Sequence, residues 1–557
     1  MNKNNIISMF TLITLLFCGV NSVISQEWES VYYSDGSEFK SFYHEAIELS
    51  NGNIFVSSLY SPRRNTSEND GRDFFSNHPF MSLISSEGNE ISSNYHDYFK
   101  PGLCSTTPPY LFENNGEMYF LTSYSPDHDI NSENYFKNFD NPPTESIIGL
   151  YKLDETLNVA ESYEHVYPID TSESRTVDWS AYLNYYCGYI YIYSAFEDDG
   201  HITGSYVKNE SAFPGQTRQD SVFFFKMDFE GNFILKKGFE IPAPCGYSVN
   251  ACFRQQMVKS DNGYIIYYRG CEPETNGTVE YYDNDFNYIA TRYIIMPNPG
   301  VIFQNRLDAH CVMRSNHNTT YVATDSQSYI EESVNDDIRL YEFDDDLNNS
   351  TEVLPILDYI ERRTPDHDRS AGKSIDITKN GDIYFTYSLN CGISDNNDSW
   401  IMVERLDSDF DTIATFFYND VGRYNRSSCI STTKDDGLIL VSYSYKINEF
   451  NKRLSKITKF PASAFVSIEE AHAHNLKVAV AYPNPGGDVM NIRTSLRNCT
   501  LQVYDMQGRM VHQQEITDDV TSVDASSWSS GTYVWKLGMR NEELGIKEVE
   551  EGKWVKL

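Results

Sequence analysis

The string Pro-Asp-His-Asp occurs twice in the 557 residues, at 126–129 and at 365–368. It gathers Asp127, His128 and Asp129 in one place, and Asp366, His367 and Asp368 in the other. Adjacent carboxylates and an imidazole can ligate a metal ion or relay a proton. In an Asp-rich chain the preferred reading of each string is a polar surface turn that recurs by chance. No other arrangement points to a reaction: GxSxG, HExxH and Walker loops are all absent. Acidic strings such as 344–346 resemble calcium loops but lack the glycine and the distal glutamate, so hairpin turns are preferred. No cofactor is expected, calcium being the one candidate those strings leave open.

The cysteines offer structure rather than chemistry. There is no CxxC pair and no Cys/His spacing of a zinc site, so no metal centre is assigned. Cys252 and Cys271 are equidistant from the point between Asp261 and Asn262. A four-residue loop at 260–263 would set them opposite each other, where a disulfide can form. A two-residue turn at Asn262-Gly263, or a bulge, would break that match, and Cys245 is the rival partner. His472 and His474 read as linker residues.

What positions these groups is a repeat. A turn, usually with glycine, followed by an aromatic strand appears at NGNIFVSSLY (51–60), NGEMYFLTSY (115–124), CGYIYIYSAF (187–196) and NGYIIYYRG (262–270). It returns at NTTYVATDS (318–326), NGDIYFTYS (380–388) and DGLILVSYS (436–444), the fifth copy lacking the glycine. A second strand pair follows in six units, joined by an acidic turn around Asp154, Asp228, Asp283, Asp344 and Asp407, with a degenerate copy near Ser85, and the seventh unit is one strand short. Asp, Asn and Gly suit such reversals because they tolerate left-handed dihedrals. The aromatic runs, with 41 Tyr and 32 Phe in the chain, fill both faces of their strands, as expected where each sheet is packed between two others. The expectation is an all-β protein: a seven-bladed β-propeller with four-stranded blades over 26–462, the early strand at 28–33 completing the last blade. The turns lack the S-x-D-x-G-x-T-W pattern of sialidase-type propellers. The long insertions 61–78, 125–144, 197–219 and 297–305 are expected on one face, together with both Pro-Asp-His-Asp strings, and any site is placed there.

The two ends differ from the middle. Lys3 and the apolar run 6–20 form a signal peptide of residues 1–25, too short to span a bilayer. After a linker at 463–476 the segment 477–557 carries strands separated by turn chemistry, which predicts a small β-sandwich. Its motifs are Tyr482-Pro483-Asn484-Pro485, then Val503-Tyr504-Asp505 with Gly508-Arg509, then Gly531-Thr532-Tyr533 and a tail holding Lys553. In this order they resemble the type A C-terminal sorting domain of the type IX secretion system of Gram-negative bacteria. The resemblance implies Sec export, passage through the outer membrane by the type IX machinery, and release or attachment at the cell surface.

Net charge is −36, which repels phosphate backbones, so nucleic acid is not an expected partner. A mean hydropathy of −0.49 and the lack of another long apolar run argue against a membrane span. The expected role is a secreted or surface-displayed module that binds a glycan or a protein. The alternatives are a hydrolase or lyase acting on polysaccharide or peptide, with carboxylates near a central channel, and a structural or adhesive surface component.

Overall fold

The computed structural model describes residues 28–33, 38–64, 74–75, 78–96, 103–105, 107–126, 145–168, 190–209, 220–240, 255–261, 263–269, 277–294, 311–314, 319–330, 333–344, 356–363, 369–389, 399–418, 423–446, 453–465, 479–482, 487–494, 499–516, 520–541 and 545–556. The expected signal peptide, 1–25, therefore lies outside the described residues, as do 127–129 and 365–368 of the Pro-Asp-His-Asp strings, Cys252 and Cys271, and Pro483, Asn484 and Pro485.

All described elements are strands, apart from a short 3-10 turn at Ala462–Ala464. β1 (Trp28–Tyr33) stands first. Sheet I holds β2 (Glu38–Glu48), β3 (Ile54–Arg64), β5 (His78–Ile84) and β6 (Glu90–Tyr95), with the short β4 (Phe74–Phe75) beside β3. Sheet II holds β7 (Leu103–Ser105), β8 (Tyr110–Asn114), β9 (Glu117–Pro126), β10 (Glu145–Leu153) and β11 (Val159–Pro168). Sheet III is β12 (Ile190–Asp198), β13 (His201–Asn209), β14 (Asp220–Met227) and β15 (Phe233–Glu240). Sheet IV is β16 (Gln255–Ser260), β17 (Gly263–Arg269), β18 (Gly277–Tyr282) and β19 (Tyr288–Ile294). Sheet V is β20 (Cys311–Arg314), β21 (Thr319–Ile330), β22 (Ser333–Asp344) and β23 (Ile356–Arg363). Sheet VI is β24 (Arg369–Ile377), β25 (Ile383–Leu389), β26 (Trp400–Leu406) and β27 (Thr412–Tyr418), and a single parallel pair, Lys373↔Cys429, joins its first strand to that of sheet VII. Sheet VII is β28 (Tyr424–Thr432), β29 (Leu438–Tyr445) and β30 (Arg453–Phe460), completed by β1, which pairs antiparallel with β30 from Trp28↔Lys459 to Tyr33↔Leu454.

Apart from β1 in sheet VII and the short β4 and β7, the strands of each sheet follow chain order, and the cores lie between neighbouring sheets. Period two sends alternate side chains to opposite faces, so one strand serves two cores. Phe55 packs with Leu111, Phe120 and Tyr151 of sheet II, while Ile54 and Val56 pack with Cys429, Ile439 and Val441 of sheet VII. Tyr206 and Phe225 meet Tyr119 and Leu121 of sheet II, whereas Val207 and Phe224 meet Tyr264 and Ile266 of sheet IV. Phe385 packs with Leu340 of sheet V, and Tyr384 with Ile430 and Leu440 of sheet VII. Burying one such side chain contributes about 1.5–3 kcal/mol. The aromatic excess is core.

The first strands run side by side in the cyclic order β2, β8, β12, β16, β20, β24, β28 and back to β2. The turns are tight where first meets second strand and third meets fourth. Asn115 (φ 53°) with Gly116 (φ 80°), and Asp199 (φ 53°) with Gly200 (φ 75°), are two-residue turns with positive φ at both positions, the type I′ geometry that matches strand twist. The acidic turns share one pattern. Asp154 Oδ1 accepts the N–H groups of Thr156 and Asn158, and the Asp154 N–H donates to the Asn158 carbonyl. Asp228, Asp283 and Asp407 repeat it, so these strings are hairpin turns. The turn after Asp344 lies outside the described residues.

Two details of the repeat need correction. The glycine turn of the third unit is Asp199-Gly200, not Gly188: Ile190–Asp198 is the first strand of its sheet, and its aromatic run imitated a second strand because it too packs on both sides. For the same reason 197–219 is not an insertion, since it contains the hairpin and β13. Beyond β30, Ala464 and Phe465 are buried against sheets VI and VII, and Phe465 O accepts from Arg405 Nη1 at 2.9 Å. The packed residues thus run past 462.

The C-terminal strands form two further sheets. β31 (Ala479–Tyr482), β32 (Val489–Thr494) and β35 (Val520–Asp524) make one. β33 (Cys499–Asp505), β34 (Met510–Ile516), β36 (Gly531–Asn541) and β37 (Gly545–Lys556) make the other, in the order β34-β33-β36-β37. Met490 and Ile492 of the first sheet share a core with Leu501, Val503, Trp535 and Trp554 of the second.

Candidate functional site

Where the first strands adjoin, a polar group crosses several of them. Glu45 stands near the end of β2 with its side chain only 18 % exposed. Its Oε2 accepts the Leu111 N–H of β8 at 2.8 Å, and its Oε1 lies 3.8 Å from Lys373 Nζ of β24. Burial pushes the carboxyl above its ordinary value; Lys373 and the Leu111 N–H oppose this, and Asp376 adds to it. Tyr110 on β8 has its hydroxyl pushed up by burial and by Glu45. Cys429 on β28, the register partner of Lys373, is a free buried thiol pushed up to about 12 by burial. Asp376 Oδ2 accepts the Thr432 N–H at 2.6 Å and the Thr432 hydroxyl at 2.9 Å. A carboxyl that gives up its proton less readily than in water, beside an ammonium group, is equipped for proton transfer. The same contacts also tie four first strands together.

A second pair lies toward the turns and is purely a fastener. Glu48 and Lys459 meet at 3.3 Å with both side chains 9 % exposed, and Glu48 Oε2 accepts the Lys434 N–H at 2.7 Å. Neither Glu45 nor Lys373 was singled out from the sequence, where both look like ordinary polar positions of a strand. A charge within the first strand of a unit was the only signal.

The sequence-predicted residues divide sharply. Asp127, His128, Asp129, Asp366, His367 and Asp368 lie outside the described residues. So do Cys252 and Cys271, although the register Ser260↔Gly263 to Gln255↔Tyr268 is that of the four-residue loop. The C-terminal motif residues are mostly described. Asp505 Oδ1 accepts the N–H groups of Gln507 and Arg509, each at 2.9 Å, and Oδ2 meets Arg509 Nε at 2.7 Å. These bonds hold its carboxyl below the usual range. Gly508 takes φ 76° in this turn. Tyr533 OH donates to Ser529 O at 2.7 Å, Trp554 is fully buried, and Lys556 Nζ reaches Asp488 Oδ1 at 3.2 Å. Lys553 is exposed, and Gly531 opens β36. Tyr482 closes β31.

A family model described as "Secretion system C-terminal sorting domain" matches residues 480–549, the two-sheet unit just described. The C-terminal segment is a type IX sorting domain. The chain is therefore exported, to the cell surface or beyond it, and the sorting domain implies contact with the type IX machinery. No curated protein matches the sequence. Among solved structures, cobalt-substituted Synechocystis ACO is similar over 76 % of this chain and 89 % of its own, at 8 % identity and a TM-score of 0.34. Drosophila Semaphorin 1b, extracellular domains 1–2, is similar over 77 % of this chain and 86 % of its own, at 9 % identity and 0.36. PorZ of Porphyromonas gingivalis, described as an essential bacterial surface component of the type IX secretion system, covers 94 % of this chain and 99 % of its own at 10 % identity and 0.19. TM-scores this low leave the architecture to the sheet order itself. No helix among the described residues is long and apolar enough to cross a membrane.

Proposed function

We propose that the middle of the chain, residues 26–462 extended to Phe465, is a seven-bladed β-propeller that binds a glycan or a protein outside the cell. In this reading 1–25 is the signal peptide, the linker falls within 463–476, and 477–557 is the sorting domain. The observation that carries the propeller is the cyclic order of the first strands, with sheet VII packed on sheet I and completed by β1.

The placement of the ligand follows from how the turns are used. On the face of the tight turns, side chains bond their own backbone or the next sheet: Ser50 N to Glu113, Asn94 Nδ2 to Leu157 O, His165 Nε2 to Gly231 O, Asn380 Nδ2 to Asp436. That face is committed to holding sheets together. The connections between second and third strands and between sheets leave from the opposite end, so recognition is assigned there, and the sequence puts Asp127 to Asp129 and Asp366 to Asp368 within such connections.

A second reading, a hydrolase or lyase, is favoured by Glu45 alone. One experiment separates them: the exported protein is screened against polysaccharides and peptides for retention and for bond cleavage. Retention without turnover is expected. Turnover that Glu45→Gln abolishes would replace the binding assignment with the enzymatic one, and neither retention nor turnover would contradict both.

A further inference from the structure

Nine large apolar side chains are exposed among the described residues, and four of them (Val489, Met506, Met510 and Val511) belong to the sorting domain. Three of those four cluster on the hairpin that joins β33 to β34. Met506 is 64 % exposed and Met510 is 51 % exposed, the first inside the turn that Asp505 opens and the second at the start of β34. The turn itself is rigid, because Asp505 fastens both ends of it through the backbone of Gln507 and Arg509. Flexible methionines on a fixed hairpin suit a recognition surface, since the thioether adapts to a partner while its base stays put.

The hairpin borders a depression on the outer face of the four-stranded sheet. Leu501, Val503, Trp535 and Leu537 point inward to the core, so the alternate residues Gln502, Tyr504, Val534 and Lys536 face out. Tyr504, Met506, Val534, Lys536 and Gly538 line the depression. Gly538 has no side chain to fill it, and Tyr504 OH donates to Gln502 Oε1 at 2.9 Å, which steadies one wall.

We propose that this face, centred on Met506 and Met510 and flanked by Lys536, is where the secretion machinery reads the sorting domain. The occupant is a protein surface that inserts apolar side chains beside the methionines. This rests on the reading of 477–557 as a sorting domain, which requires a protein receptor. Charge argues against a second copy as the occupant. Residues 479–557 hold 8 of the 44 Lys and Arg but only 11 of the 80 Asp and Glu, so most of the negative charge is on the rest of the chain and two chains repel.

The test is surface display of the full chain in its native host. Four forms are compared with the wild type: a deletion of 481–557, the double variant Met506→Glu/Met510→Glu, the conservative Met506→Leu/Met510→Leu, and Val489→Glu on the other sheet. The deletion should abolish display. The double glutamate variant should lower it about tenfold, the loss expected when apolar anchors leave a protein contact. The leucine pair and Val489→Glu should display normally. Tryptophan fluorescence, reporting the buried Trp535 and Trp554, checks that the glutamate variant is folded, and Lys536→Glu gives an independent variant of the same face. Normal display of both the double glutamate variant and Lys536→Glu overturns the proposal while leaving the sorting reading intact. Normal display of the deletion overturns both. A wild-type dimer that the double variant makes monomeric, with display unchanged, assigns the face to self-association and overturns it as well.

Discussion

At the residue scale, burial decides which titratable groups matter. His96 closes sheet I with its ring 5.1 Å from Phe120, and burial lowers its pKa from 6.5 to about 4. Its folded value is below its unfolded value, so the neutral form stabilises the fold fully above pH 6.5, and that contribution is lost as pH falls toward 4. The expected loss is roughly 3 kcal/mol, at about 1.4 kcal/mol per pH unit. Urea midpoints should fall more steeply over this range in the wild type than in His96→Leu; equal slopes would contradict the assignment. None of this was legible in the sequence, where His96 sits between Tyr95 and Asp97 as an ordinary polar residue. Glu45 and Lys373 were equally hidden, because their contact joins β2 to β24, strands far apart in the chain. The Asp505 turn was legible, since its side chain bonds only residues two and four further on.

At the scale of elements, the acidic hairpins carry an unusual residue. Leu157 (φ 61°), Phe286 (φ 57°) and Phe410 (φ 60°) take the left-handed conformation that glycine supplies at Gly231 and Gly508. Each is buried, Phe286 completely, against Phe224 and Tyr264 between sheets III and IV. The left-handed conformation disfavours a side chain by about 1–2 kcal/mol, while losing a buried Phe costs about 3–5 kcal/mol. Packing wins. Phe286→Ala keeps the backbone strain and loses the packing, whereas Phe286→Gly loses the packing but relieves the strain. Both should unfold more easily than the wild type, with Phe286→Gly the more stable of the two by about 1 kcal/mol in urea unfolding. The opposite order would refute the strain. Five of the six acidic or degenerate turns were placed by residue type alone, because Asp, Asn and Gly act within five residues. The third unit was misplaced because an aromatic first strand and an aromatic second strand look the same when both are buried on both faces.

For the whole molecule, sequence patterning foresaw the repeat, the role of the 28–33 strand and the C-terminal two-sheet unit. Each depends on local pattern or on a motif of fixed order. It did not reveal the polar group that ties β2, β8, β24 and β28 together, or that packed residues extend to Phe465. The proposed propeller requires that seven sheets close on one another, with Trp28–Tyr33 locked into the last sheet by six register pairs, Trp28↔Lys459 through Tyr33↔Leu454. An experimental structure of the exported protein, viewed down the ring, tests this most directly. Expected are seven four-stranded sheets around one axis, β1 paired with β30, and Glu45 bonded to the Leu111 N–H between the neighbouring strands β2 and β8. Six or eight sheets, or an open array in which Trp28–Tyr33 is unpaired, would contradict it.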